Sequence, residues 1–240
     1  KSDMDNADLN NITTIILTKN EEKNITWVVD ELKKLGLNKI LVADAGSTDG
    51  TIEILKDNNI NFFVQKEKGY GGAILEAVNK VDTEYLTIID ADGSYDSNDI
   101  PLMYNTLINQ NLDLIVGSRY KDGNKSADDT IIRLIGNKFF TKLCCILFNL
   151  EITDCLFHFP VCKTVKYKNL NLKFKDFSIC FEMPAKAKFY NFSFKEYLSL
   201  ERPRMHGDSK VNAFTDGLKI LFRIIKLFIE LSLLKKKLKN

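Results

Sequence analysis

The sequence predicts an α/β fold: a mostly parallel sheet with helices on both faces, followed by an amphipathic C-terminal helix. Three observations predict it. Short β-branched apolar runs alternate with helical patterns from residue 13 to residue 116, the rhythm of parallel strands joined by crossovers. The runs are almost continuously apolar, as strands covered on both faces must be. Gly217–Leu234 is apolar nearly throughout except for a narrow stripe of Lys219, Arg223, Lys226 and Glu230, which marks a helix that packs into a core or lies in a membrane interface.

The elements follow in order. Residues 1–11 are polar and read as a disordered lead-in, ahead of a main domain over 12–211 and a basic helix over 212–240. Thr13–Leu17 is the first strand. Asn20 is placed to cap a helix with Glu21 and Glu22 in its first turn, where the helix dipole favours negative charge. Ile25, Val28, Val29, Leu32 and Leu35 form its apolar face, and Gly36 stops it. Ile40–Ala43 is the second strand, Thr51–Lys56 a short helix and Asn61–Val64 the third strand. Gly69-Tyr-Gly-Gly72 opens a helix carrying Ile74, Ala77, Val78 and Val81. Tyr85–Ile89 is the fourth strand, Pro101 starts the next helix, and Leu112–Val116 is the fifth strand. Ile131–Leu150 reads as a long amphipathic helix. A less regular stretch contains a helix near Ser178–Phe189 and a strand near Phe192–Leu198.

Composition narrows the function classes. The 240 residues, 45% apolar and 28% charged, suffice for one sizeable core. The five cysteines are odd in number, form no Cys-x-x-Cys pair and mostly sit in apolar runs. They read as buried reduced thiols rather than a metal site or disulfide framework. His158 and His206 are too few and too scattered for a histidine metal site. Net charge is only +2, yet residues from Lys163 onward carry 18 basic against 7 acidic side chains and the rest 16 against 25. That asymmetry points the C-terminal third at an anionic partner, membrane or phosphate. The run Lys235-Lys-Lys237-Leu-Lys239 adds ~1 kcal/mol per basic residue near anionic headgroups. No uncharged apolar stretch reaches about 18 residues, so no spanning helix is expected, and the N-terminus lacks a signal-peptide pattern.

The chemistry concentrates at strand ends. Asp90-Ala91-Asp92 sets two carboxylates one residue apart where the fourth strand opens into a loop, the end of an open α/β sheet at which ligands bind. Hard oxygen ligands suit Mg²⁺ or Mn²⁺, with substrate phosphates completing the shell. Asp44 ends the second strand and suits a base N–H or a ribose hydroxyl. Ser47, Thr48 and Asp49 are better explained as caps of the next helix. Lys68-Gly-Tyr-Gly-Gly72 either brings one cation and backbone amides to phosphate or makes a tight turn. It matches neither the phosphate loop nor the dinucleotide fingerprint. Arg119 follows the fifth strand and Arg133 starts the next helix. Arg202, Arg204 and Lys210 cluster around a hinge candidate, Gly207. Guanidinium forks match phosphate oxygens.

Seven motifs in order carry a resemblance: Thr18-Lys-Asn-Glu-Glu22, Val42-Ala-Asp-Ala-Gly-Ser-Thr-Asp-Gly-Thr51, Gly69-Tyr-Gly-Gly-Ala73, Asp90-Ala-Asp-Gly-Ser-Tyr-Asp96, Val116-Gly-Ser-Arg119, Ile152-Thr-Asp154 and Arg204-Met-His-Gly-Asp-Ser-Lys210. From about residue 13 to about 226 the chain resembles the family 2 glycosyltransferases, and among them the dolichol- or polyprenyl-phosphate mannosyl- and glucosyltransferases. The resemblance implies a nucleotide-sugar-binding GT-A, Rossmann-like fold, a divalent metal (Mg²⁺ or Mn²⁺) and inversion at the anomeric carbon. It implies a nucleotide site containing Thr18, Asn20, Glu21, Asp44, Lys68, Gly71, Asp90, Ala91 and Ser209. Within it Asp44 would bind the base and Glu21 the nucleoside region. Asp90 would contact ribose or metal, and Asp92 would ligate the metal on the diphosphate. Arg119 and Arg133 would hold the acceptor phosphate, while Arg204 and Lys210 sit on a lid with Ser209 assisting. The chain departs from the family pattern at Leu17, Lys19, Ala45 and Ser94, and His158-Phe-Pro160 stands where Gly-Phe-Arg is common.

The activity so implied is inverting transfer of mannose or glucose from GDP-mannose or UDP-glucose to a polyprenyl (dolichyl or undecaprenyl) phosphate. The implied setting is the cytoplasmic face of a membrane, with peripheral attachment and no nucleic-acid partner. A phosphate acceptor, with a second pKa near ~6, is already ionised and needs no general base. Two alternatives stand beside this one. A sugar-hydroxyl acceptor would need a base, with Asp154 the first candidate, and a non-catalytic nucleotide-sugar-binding membrane adaptor would need neither.

Overall fold

The computed structural model describes residues 8–124, 126, 130–206 and 213–238, the last stretch with side chains from Gly217 onward. Its elements are β1 (Ile12–Thr18), α1 (Ile25–Lys34), β2 (Ile40–Asp44), α2 (Thr51–Asp57), β3 (Phe62–Val64), α3 (Tyr70–Asn79), β4 (Tyr85–Asp90), α4 (Asp99–Asn109), β5 (Leu114–Ser118), α5 (Ile131–Phe148), β6 (Pro160–Lys163), α6 (Thr164–Asn169), α7 (Ile179–Phe189), β7 (Phe194–Leu198) and α8 (Ala213–Lys237).

Seven strands form one sheet in the order β3-β2-β1-β4-β6-β5-β7. All seven residues of β1, at the centre of the βαβ half, are buried. The parallel pairs β1–β2, β1–β4, β2–β3 and β5–β7 follow from the apolar runs. The sequence does not announce β6, which wedges antiparallel between β4 and β5 (Thr87 opposite Val161, Ile115 opposite Val161). Strand β6 is short and begins with proline, so its pairing, not its composition, makes it a strand.

The sheet carries a core on each face. One joins Val28 and Leu32 of α1 with Met103 and Tyr104 of α4. The other joins Ile74 and Val78 of α3 with Ile179 and Met183 of α7. A third cluster joins Cys144 of α5, Phe181 of α7 and Ile220, Ile224, Leu227 and Leu231 of α8. The spacing of that last set is one helical stripe. Helix α8 packs one side into this core and presents Leu218, Phe222, Ile225, Ile229 and Leu233 on the other side to the surface. Helix α5 beside it exposes Ile131, Ile132, Ile135, Phe139 and Ile146. Among the described residues no helix is long and apolar enough to cross a membrane. The five cysteines are free, four of them buried.

Two local expectations need correction. Helix α1 begins at Ile25 and has no acidic residue in its first turn. Asn20 is not its cap: it sits at φ 57°, and its Oδ1 accepts the Thr48 N–H at 2.8 Å. The amides of Asn20, Glu21 and Glu22 donate to Ser47 Oγ, Thr51 Oγ1 and Asp49 Oδ2 at 2.9, 2.9 and 3.2 Å. Those bonds clip the β1 loop to the β2 loop, and a helical turn over 20–22 would forfeit them.

Candidate active site

At the carboxyl end of the parallel strands lies a cleft of about 1390 Å³. Its polar wall includes Thr18, Asn20, Glu21, Lys68, Asp90, Ala91, Asp92, Arg119, Arg133 and Arg204. Its other wall is apolar, from Ile135, Phe139 and Phe140 of α5 and Leu218 and Leu221 of α8. One opening thus joins an acidic and basic floor to a greasy flank. Lys210, Ser209 and Gly207 lie outside the described residues.

Strand β4 delivers the carboxylates. Asp90 Oδ1 is buried and has no hydrogen-bond partner among the described residues. Burial, with the negative charge of Asp92 adding to it, pushes the Asp90 pKa up to about 8 against the hydrogen bond from Tyr70. Asp92, 4% exposed, accepts Ser94 N–H at 3.0 Å and Ser94 Oγ–H at 2.7 Å on Oδ1. Its Oδ2 lies 3.0 Å from Arg204 Nη1. An orphaned buried oxygen beside a second carboxylate is an unmet demand for positive charge, and the donor set fits a hard divalent cation. No cluster of three or more His, Cys, Asp or Glu side chains is present among the described residues, so substrate oxygens would have to fill the shell, as Mg²⁺ sites commonly allow.

The cations are tied down. Arg119 donates from Nε to Asp154 Oδ2 at 2.7 Å and from Nη2 to Oδ1 at 3.1 Å, and Glu201 Oε2 lies 3.5 Å from Nη1. Burial alone would weaken the Arg119 charge, but Asp154 and Glu201 outweigh it and hold its pKa well above the ordinary range. Its guanidinium also lies over the Phe157 ring, 4.9 Å from the centroid. Arg133, half-buried, reaches the cleft from the first turn of α5, which Thr130 caps.

Two of the residues in the implied nucleotide site are engaged within the chain. Asp44 is fully buried and lies outside the cleft wall. Its Oδ1 accepts the Gly46 and Ser47 amides at 2.8 and 2.7 Å, and its Oδ2 the Ser47 hydroxyl at 2.5 Å. The carboxylate closes its own turn. The Phe174–Asp176 backbone presses so closely on Gly71 that a β-carbon there would collide with the Phe174 carbonyl oxygen. The helix-start amide of Gly72 is taken by Lys175 O at 3.1 Å. The glycines are small because another chain segment lies there. The N-cap of α2 is Gly50, with no side-chain cap bond, so Ser47, Thr48 and Asp49 are not its cap; Asp49 Oδ1, just before it, accepts the Thr51 N–H and hydroxyl at 3.0 and 2.5 Å.

Sequence reasoning missed several contributors. Tyr70, inside a motif read for its glycines, supports Asp90. Glu201, at the head of the basic cluster, counters Arg119. The buried pair Glu182–Lys186, 2.7 Å apart, pins the 171–174 segment: Glu182 accepts the Lys173 and Phe174 amides, and Lys186 donates to Asn171 O at 2.6 Å. An i,i+4 acid–base spacing was the available signal.

Comparison with known proteins agrees with this geometry. A family profile described as "Glycosyl transferase family 2" matches residues 13–170. The chain is 27% identical over 202 residues to "Glycosyltransferase AglJ" of Haloferax volcanii, covering 83% of this chain and 66% of that protein. It is 27% identical over 164 residues to a UDP-N-acetylglucosamine–dolichyl-phosphate N-acetylglucosaminyltransferase of Methanococcus voltae, covering 60% and 65%. The chain thus spans just under two thirds of the length of these two relatives. In fold it is similar to glucosyl-3-phosphoglycerate synthase from Mycobacterium tuberculosis, solved with Mn²⁺ and UDP-glucose, with a TM-score of 0.66, 14% identity and coverage of 89% and 77%.

Proposed function

Since the chain belongs to the family 2 glycosyltransferases, we propose that it transfers a hexose, mannose or glucose, from a nucleoside diphosphate to a polyprenyl phosphate at a membrane surface. One observation carries this reading: a single cleft joins Asp90 and Asp92, the arginines Arg119, Arg133 and Arg204, and an apolar flank between α5 and α8. The acids suit the donor diphosphate, the arginines an acceptor phosphate and the flank an isoprenoid chain. Relatives support the parts separately, one named for a dolichyl-phosphate acceptor and a fold neighbour solved with Mn²⁺ and UDP-glucose.

In this mechanism Asp90 and Asp92 would hold a divalent ion, which when bound would supply positive charge to the departing diphosphate. Arg204, against Asp92, adds a cation for the diphosphate oxygens. Arg133 and Arg119 orient the acceptor phosphate behind the anomeric carbon. A phosphate oxygen bonds to that carbon as the sugar–diphosphate bond breaks. The nucleoside diphosphate leaves with the electron pair, the configuration inverts, and no proton has to move. The apolar faces of α5 and α8, with Lys235, Lys236 and Lys237 in the last turn, keep the cleft mouth at an anionic lipid surface.

The hydroxyl-acceptor alternative is weaker because its base is occupied. Asp154 is 3% exposed and commits both oxygens to Arg119. The deciding experiment incubates the protein and Mn²⁺ with GDP-mannose, UDP-glucose or UDP-N-acetylglucosamine, and with either a polyprenyl phosphate or a free sugar. A lipid-linked product that vanishes in Asp92→Ala is expected. A free-sugar product alone, or undiminished transfer by that variant, would overturn the reading.

A further inference from the structure

His158 has no part in the chemistry above, yet its surroundings are specific. It is 1% exposed and contributes to the cleft wall. Its Nε2 lies 2.9 Å from the hydroxyl of Tyr167, a residue buried in the core beneath the sheet. Its Nδ1 is buried and has no hydrogen-bond partner among the described residues. Thr87 pairs with Val161. Three residues on from Thr87 is Asp90, and three residues back from Val161 is His158, so the antiparallel register brings both to the same end of the sheet.

The proton can be placed by counting orphans. If Nε2 carried it and donated to Tyr167, the tyrosine hydrogen and the Nδ1 lone pair would both be stranded. If Tyr167 donates to Nε2, a single group is left over, an Nδ1–H donor. Buried polar groups seek partners, so the second arrangement is the stable one. Burial lowers the His158 pKa to about 3, so the ring is neutral at working pH. A residue of the cleft wall therefore carries one neutral, buried N–H donor that no described residue answers.

We propose that His158 Nδ1–H donates to a hydroxyl oxygen of the transferred sugar and so helps select which sugar is transferred. The inference rests on the nucleotide-sugar reading of the cleft. A hydroxyl fits better than a phosphate: the groups that face phosphate here are the cations Arg119, Arg133 and Arg204, and a neutral imidazole adds no charge to them. A buried donor matched to a hydroxyl also discriminates strongly, since a sugar lacking that oxygen leaves the N–H stranded again.

The test separates the two ring nitrogens. His158→Asn keeps an amide near the Nδ1 position and gives up Tyr167, whereas His158→Gln reaches toward Tyr167 and gives up Nδ1. Calorimetry with Mn²⁺ measures binding of UDP, UDP-glucose and UDP-N-acetylglucosamine, and of GDP and GDP-mannose, to each folded variant. The ratio of affinities for conjugate and parent diphosphate isolates the sugar. His158→Gln is expected to cut that ratio about tenfold with the parent diphosphate unaffected, and His158→Asn to preserve most of it. An unchanged ratio in His158→Gln, an equal loss for diphosphate and conjugate, or equal losses in both variants would overturn the proposal.

Nitrogen-15 histidine spectra of the unaltered protein do not depend on variant folding. The His158 Nδ1–H resonance should move when the conjugate is added and stay still with the diphosphate alone; no movement sinks the idea. If the unaltered protein binds no conjugate at all, the nucleotide-sugar reading falls with it. If it binds and His158→Gln is indifferent, only the histidine assignment falls.

Discussion

Arg119 clasps Asp154 through a two-pronged contact, Nε to Oδ2 at 2.7 Å and Nη2 to Oδ1 at 3.1 Å. The Leu156 amide takes Oδ1 as well, at 3.2 Å. Asp154 is thereby a stay that fixes a cation at the cleft wall, and the wall side chains Phe157 and Leu156 grow from the same short segment.

Asp154→Ala leaves the largely buried Arg119 charge with Glu201 alone, at 3.5 Å, in place of its two-pronged partner. Removing one member of such a pair costs about 3 kcal/mol or more. Urea unfolding should register that loss, and a change under about 1 kcal/mol would mean that solvent already screens the pair.

Asp90 gives a pH signature of unusual sign. Its pKa rises from 3.8 unfolded to about 8 folded, through burial first and Asp92 second. Between those values the unfolded chain has shed a proton that the native chain keeps, so metal-free stability falls as pH rises, by up to about 1.4 kcal/mol per unit. Asp90→Asn should flatten that slope relative to the parent in urea titrations at about pH 5 and pH 8. Parallel slopes for the two proteins would refute the assignment.

Gly71→Ala tests whether the glycine serves the fold or a phosphate. Because the obstacle is the Phe174 carbonyl, a backbone atom, overpacking should cost about 2 kcal/mol. The protein that remains folded should bind Mn²⁺ with UDP or GDP as the parent does. Lost affinity at unchanged stability would restore the phosphate-cradle role.

Ile135→Glu combined with Phe222→Glu tests the exposed apolar faces of α5 and α8, where the two side chains are 63% and 67% exposed. Substitutions that expose nothing new should leave the thermal midpoint unmoved. Each large apolar side chain gains about 1.5–3 kcal/mol on leaving water, so binding to anionic vesicles should drop at least about tenfold. Equal vesicle binding by parent and variant would dismiss the lipid-facing role.

Much of the architecture was legible because it is local. β1 to β5 announce themselves as apolar runs, and Asp90 and Asp92 are chain neighbours that any fold must keep together. What was hidden depends on partners far away in sequence. The true start of α1 is set by bonds from Asn20–Glu22 to Ser47–Thr51, and a local capping signal cannot report those. Gly71 answers to Phe174, Arg119 to Asp154 and His158 to Tyr167. Asp44 finds its partners within three residues, Gly46 and Ser47, bonds that a reading of strand ends for ligand contacts does not register.

The antiparallel wedge β6 has a consequence for biosynthesis. Strands β4 and β5 are finished by Ser118, but they do not touch each other in the sheet, and the strand that joins them starts only at Pro160. While a ribosome is still making the intervening segment, both emerged strands present bare edges that can pair with a neighbouring nascent chain. Translational pausing or chaperone supply over that interval, more than the finished molecule's stability, would govern how much of the protein a cell recovers intact.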